Sequence, residues 1–106
     1  MDTRGIHHLG VAVADLDDAL DTYTRLFGAE VEGRATVAGQ GVNAVALRVG
    51  SGRVELLSPL EADTPVGRFL ASRGAGMHHV AFEVEDIRVA LDSLRRDGAE
   101  LVDEEP

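Results

Sequence analysis

Residues 5–25 read GIHHLGVAVADLDDALDTYTR and residues 76–96 read GMHHVAFEVEDIRVALDSLRR. Roughly nine of the twenty-one aligned positions are identical, and a self-match this dense marks a duplicated unit. The identities include both His-His pairs, Asp15 and Asp86, and the triplets Ala19-Leu20-Asp21 and Ala90-Leu91-Asp92. A spacing of about 71 residues is too long for a solenoid repeat, so the sequence predicts two paired modules.

Each unit reads as a strand followed by a helix. Leu9, Val11 and Val13 alternate with His8, Gly10 and Ala12, the period of a strand. Asp15 then suits an N-cap with Asp18 at N3, as in a weak capping box. Leu16, Ala19, Leu20, Tyr23, Leu26 and Phe27 follow helical spacing, and Gly28 ends the helix. In the second unit Val80, Phe82 and Val84 alternate with His79, Ala81 and Glu83. Asp86 caps a helix that turns Ile87, Ala90, Leu91 and Leu94 inward and stops at Gly98.

Between the units, Gly-containing turns delimit three further strands, Glu30–Val37, Val42–Val49 and Arg53–Ser58. The first module is therefore βαβββ. A linker helix follows, with Thr64 as cap, Pro65 at N1, Phe69 and Leu70 inward and Gly74 at its end. The predicted fold is α+β, one domain over 1–106: a first module over about 5–60, the linker helix over about 64–74, and a partial second module over about 76–106. After a strand at Ala99–Val102 the sequence stops at Pro106. Two or three strands expected from the repeat are missing, so the second module is expected to be truncated, either as a fragment or as a chain completed by a second copy.

Strand parity gives the histidines their meaning. If Leu9, Val11 and Val13 face the helix layer, His8 shares the opposite face with Gly10 and Ala12, and His79 shares it with Ala81. Small neighbours suit a concave site. A lone His at a strand start is usually structural or solvated. Two at equivalent positions of a duplicated unit are brought together by pseudo-symmetry, and imidazole is the commonest metal ligand. The first His of each pair shares parity with the apolar face and sits at the strand entrance. Glu55, in the apolar stretch Val54-Glu55-Leu56-Leu57, is the third candidate ligand, since a carboxylate there is costly unless paired or coordinated. Its repeat partner would fall near position 126, past the last residue. Two imidazoles and one or two carboxylates suit Zn, Co, Mn, Ni or Fe(II).

Composition narrows the partners. The formal net charge of -9 argues against nucleic acid, whose phosphates need a basic surface. The absence of cysteine excludes disulfides, thiolate metal sites and a Cys nucleophile. No apolar run reaches a membrane span and no secretory segment opens the chain, so a cytoplasmic protein is expected.

Several stretches, in their order and spacing, resemble a known family: Ile6-His7-His8-Leu9-Gly10-Val11-Ala12, Gln40-Gly41-Val42, Glu55-Leu56-Leu57-Ser58-Pro59-Leu60, Pro65-Val66-Gly67-Arg68-Phe69-Leu70, Gly74-Ala75-Gly76-Met77-His78-His79-Val80-Ala81-Phe82 and Asp103-Glu104-Glu105-Pro106. Across essentially the whole chain this looks like the vicinal-oxygen-chelate superfamily of glyoxalase I and the extradiol dioxygenases, and within it the methylmalonyl-CoA epimerase family. The resemblance implies a divalent metal held by His8 and His79, an acyl-CoA substrate, a homodimer, and epimerisation by α-proton abstraction through a metal-stabilised enolate. It places Glu55 where the epimerases usually carry a Gln ligand. It also implies two departures. Ala44 stands where the family usually has a Glu that acts as a base, and the family's second base, a Glu near its C-terminus, is absent. No catalytic base is therefore assigned. The resemblance leaves open which of Arg34, Arg48, Arg68 and Arg73 would meet a CoA phosphate. It also leaves open another metalloenzyme of the same superfamily or a non-catalytic ligand-binding relative.

Overall fold

The structure, a computed structural model, describes residues 2–100; the predicted strand end at Val102 and the closing Asp103-Glu104-Glu105-Pro106 lie outside the described residues. The elements are β1 (Thr3–Ala12), α1 (Leu16–Phe27), β2 (Glu30–Val37), a short 3-10 turn (Ala38–Gln40), β3 (Val42–Val49), β4 (Gly52–Pro59), α2 (Pro65–Arg73), β5 (Gly76–Val84) and α3 (Ile87–Arg96). One five-stranded sheet has the order β2-β3-β4-β1-β5. His7–Ala81 form one compact unit, and the described residues of 1–6 and 82–106 form a second.

Local chemistry starts and stops the helices. The Asp15 carboxylate accepts the backbone N–H of Asp18 at 3.0 Å, and the Thr64 hydroxyl accepts that of Gly67 at 3.0 Å. Asp86 accepts from Arg88 and Val89. Each bond satisfies an amide that the first helical turn leaves without a partner. Gly28 ends α1 in the left-handed region, φ 66°, which a side chain would resist.

The βαβββ unit is completed by β1–β4 pairing. These strands are parallel, with Leu9, Gly10, Val11 and Ala12 level with Val54, Glu55, Leu56 and Leu57. Parallel neighbours need a long crossover, and α1, β2 and β3 supply it. β2–β3 and β3–β4 are antiparallel. A bulge between Val31 and Gly33 interrupts the β2 register. Cross-strand pairs Arg48–Glu30 and Arg53–Glu32 bracket this end of the sheet, exposed pairs that contribute little to stability.

Alternation splits the core into two faces. On one, Val13, Ala29, Val45, Leu47 and Leu56 are buried against Val11 and the α1 residues Leu16, Ala19, Leu20 and Tyr23. On the other, Ala12, Val42, Ala44, Leu57 and Val66 pack with Phe69 and Leu70 of α2. Of the predicted helix-facing set Leu9, Val11 and Val13, the last two join the cluster beside α1, and Phe69 and Leu70 face inward as expected. Five residues that the periodicity assigns to an apolar face are not buried: Leu26, Phe27, Val80, Phe82 and Ile87 are 59%, 62%, 37%, 61% and 52% exposed. Leu26 and Phe27 lie in the last turn of α1 before Gly28, and α3 buries Ala90 instead of Ile87.

Leu56 is fully buried. Leu56→Ala is expected to lower the unfolding free energy by about 2–5 kcal/mol in urea titrations, whereas Phe27→Ala should change it by no more than about 0.5 kcal/mol.

Candidate metal centre

Three strands deliver one side chain each to the α2-facing side of the sheet. His8 lies on β1, Glu55 on β4 and His79 on β5. Because Gly10 is level with Glu55 in the parallel pair, His8 and Glu55 fall on one face within side-chain reach. The His8 and His79 Nε2 atoms are 3.2 Å apart, and His8 Nε2 is 3.9 Å from Glu55 Oε1. One ligand atom from each of the three lies within 4.8 Å of the other two. Ligand atoms held at about 2.0–2.2 Å from one ion would sit roughly 3–4.4 Å from each other, so the set closes on an ion with small side-chain adjustments. All three residues are partly buried.

These are the three candidate ligands that the repeat and strand parity predict, with His7 and His78 expected at the strand entrances. The structure restores a part to the first His of each pair. His7 Nδ1 lies 2.8 Å from His8 Nδ1, and His78 Nδ1 lies 3.1 Å from His79 Nδ1. If His8 and His79 donate their Nδ1–H to these partners, both Nε2 lone pairs are free and aimed at the same point. Outer partners of this kind fix tautomer and ring orientation in metal sites. His78 is half-buried, with its ring edge-on to Phe69 at 5.0 Å. Burial, and then the neighbouring His79 imidazole, lower its pKa, which favours the neutral ring that can accept. No period in the sequence announces this contact, because Phe69 arrives from the linker helix.

The site opens into a cavity of about 610 Å³ lined by His8, Glu55, His78 and His79, by Gln40, and by an apolar wall of Val42, Leu57, Pro65 and Val66. Gly41 keeps the turn before β3 close to α2. It is left-handed at φ 69°, and a Cβ there would meet Thr64 Cγ2 at 2.6 Å. Ala44 is buried among Ala12, Val42, Leu57 and Val66. Of the arginines considered for phosphate contact, Arg48 pairs with Glu30 and Arg68 with Asp63. Arg73 lies over the Phe69 ring, and Arg34 lines a separate cleft with Thr36, Asn43 and Ser58.

The family described as "Glyoxalase/Bleomycin resistance protein/Dioxygenase superfamily" matches residues 7–106. A mitochondrial methylmalonyl-CoA epimerase of Bos taurus is 38% identical over 101 residues, covering 94% of this chain and 58% of that protein. An ethylmalonyl-CoA/methylmalonyl-CoA epimerase of Cereibacter sphaeroides is 36% identical over 98 residues, covering 92% and 73%. A solved structure of a methylmalonyl-CoA epimerase in complex with methylmalonyl-CoA and NH4+ superposes with a TM-score of 0.94 at 32% identity, covering 99% of this chain and 77% of that one. The chain belongs to this superfamily and, within it, to the methylmalonyl-CoA epimerase family. Its α+β fold and βαβββ layout are those the sequence predicted. It spans little more than half the length of the bovine relative, 58%. Among the described residues no helix is long and apolar enough to cross a membrane.

His8→Ala and His79→Ala are each expected to lose most of the divalent metal that the unaltered chain retains, measured by elemental analysis after dialysis. His7→Ala should retain it with weaker affinity. Metal content surviving both of the first two changes would remove the assignment.

Proposed function

We propose that this chain carries the metal-binding part of an epimerase that interconverts the two configurations of methylmalonyl-CoA. The observation that carries the reading is the convergence of His8, Glu55 and His79 from three strands at the mouth of a cavity with an apolar wall. The names of the relatives support the substrate class.

His8, Glu55 and His79 would hold a divalent ion, with Zn, Co, Mn and Ni all suited to the donor set. Once bound there, the ion would supply Lewis-acid chemistry, which would favour loss of a proton from a carbon flanked by two carbonyl groups. His7 and His78 hold the two ligand rings in the tautomer that leaves Nε2 free. Val42, Leu57, Pro65 and Val66 offer an apolar surface to a small alkyl branch and keep water from the reacting carbon, which strengthens the electrostatic contribution of the polar groups opposite. Gln40 supplies a neutral donor and acceptor at the rim. Ala44 has no group that moves a proton. The same proposal has the protein act as a homodimer in the cytoplasm, supported by the family resemblance and by composition.

A second reading is favoured by one observation, the alanine at 44 inside a buried apolar cluster. In it the chain binds an acyl-CoA or similar anion without turning it over. Incubation of the metal-loaded chain with methylmalonyl-CoA in D₂O separates the two. Deuterium entry at the α-carbon, seen by NMR and abolished by a chelator, is expected for the epimerase. Thioester binding with no exchange supports the binding protein. Oxygen uptake with a catechol, or turnover of a glutathione hemithioacetal, would replace both with another chemistry of the superfamily.

A further inference from the structure

Gly10 is the one glycine of β1 inside the site-bearing unit, and its backbone does not require glycine. Its φ lies outside the left-handed region, unlike that of Gly5, Gly28 or Gly41, so an alanine could adopt it. Space is what forbids a side chain. A Cβ on Gly10 would lie 2.1 Å from His79 Cε1, 2.4 Å from Nδ1 and 2.5 Å from Nε2. All three approaches are far shorter than van der Waals contact, so the ring would have to move. β5 lies beside β1 in the sheet, and Gly10 is level with Glu55 on its other side. The His79 ring therefore rests on the bare backbone of β1 at Gly10, level with Glu55.

We propose that Gly10 is a positioning residue of the metal centre: its missing side chain is the slot that holds the His79 imidazole with Nε2 against His8 Nε2. The metal-binding consequence rests on the function proposed above; the slot itself does not. The clash is with a side-chain ring and not with backbone, so an added methyl displaces the ring before it displaces the strand. A displaced ring loses both the 3.2 Å approach to His8 and the 3.1 Å contact with His78. Gly→Ala at a compatible backbone position normally stabilises a protein by restricting the unfolded chain, which makes a loss here informative.

The test is a cycle of the full chain, Gly10→Ala, His79→Ala and the double variant. Three measurements are made on each: thermal unfolding, ring–ring NOE contacts between His8 and His79 in metal-free protein, and Co(II) titration followed by visible absorption. Gly10→Ala is expected to lose the ring contact and to weaken Co(II) about 10–100-fold, the effect of removing an outer partner of a metal ligand. In the His79→Ala background Gly10→Ala should leave the melting temperature unchanged or raise it, because the ring is gone. If Gly10→Ala alone does not fold, recovery of folding in the double variant supports the proposal and failure to recover overturns it. A Gly10→Ala protein that keeps both the ring contact and Co(II) affinity overturns it, as does an equal drop in melting temperature in both backgrounds. Absence of Co(II) binding by the unaltered chain would defeat the proposed function, while the ring contacts and the cycle would still decide the role of Gly10.

Discussion

The parallel pairing of β1 with β4 is the constraint on which the rest of the site depends. Its register sets Gly10 level with Glu55 and Ala12 level with Leu57. Because side chains alternate along a strand, that single register puts His8, Glu55, Ala12 and Leu57 on the same face, away from α1. A slip of one residue would turn Glu55 into the α1-facing core and bring Leu56 out. Burial of Leu56 on one face and Leu57 on the other holds the register against that slip. The crossover that parallel pairing demands is α1, β2 and β3, so the capping of α1 and the turn at Gly41 serve the site indirectly by closing this crossover at the right length.

The site face is built on absence as much as on presence. His8, Gly10 and Ala12 form one stripe of β1, and His79 and Ala81 one stripe of β5. Their bulky neighbours Leu9, Val11, Val80 and Phe82 take the other face. Small residues on the His-bearing stripes let two imidazoles approach to 3.2 Å without a methyl between them. The apolar side of the cavity comes instead from β3, β4 and α2, through Val42, Leu57 and Val66. Polar and hydrophobic requirements are thus divided between strands: β1 and β5 supply the two imidazoles, while β4 contributes one carboxylate within a run that is otherwise core.

How well the sequence could be read varied with the range of the interaction. The three middle strands came within two residues of their observed ends because Gly-containing turns bound them. The helix caps were legible because Asp15, Thr64 and Asp86 act on amides two or three residues away. The ends of hydrophobic stripes were less legible. Leu26, Phe27 and Ile87 keep helical spacing yet remain exposed, since spacing says which side of a helix a residue takes and not whether anything lies opposite it. Parity assigned His78 to the apolar face, whereas its ring meets Phe69 and lines the cavity, a contact made by a helix remote from any strand pattern.

By itself the sequence determined the duplicated strand-helix unit, the βαβββ order, the two faces of β1, and the candidacy of His8, Glu55 and His79. These follow from local periodicity, from capping chemistry and from a repeat that makes equivalent residues recur. Only the tertiary structure decided that the three side chains meet within one ion's reach, that His7 and His78 turn toward the His8 and His79 rings, and that the space above Gly10 is filled by His79. Each of those depends on which strands become neighbours and at what register. A chain of alternating residues fixes the faces of its strands, but their pairing is a property of the assembled sheet.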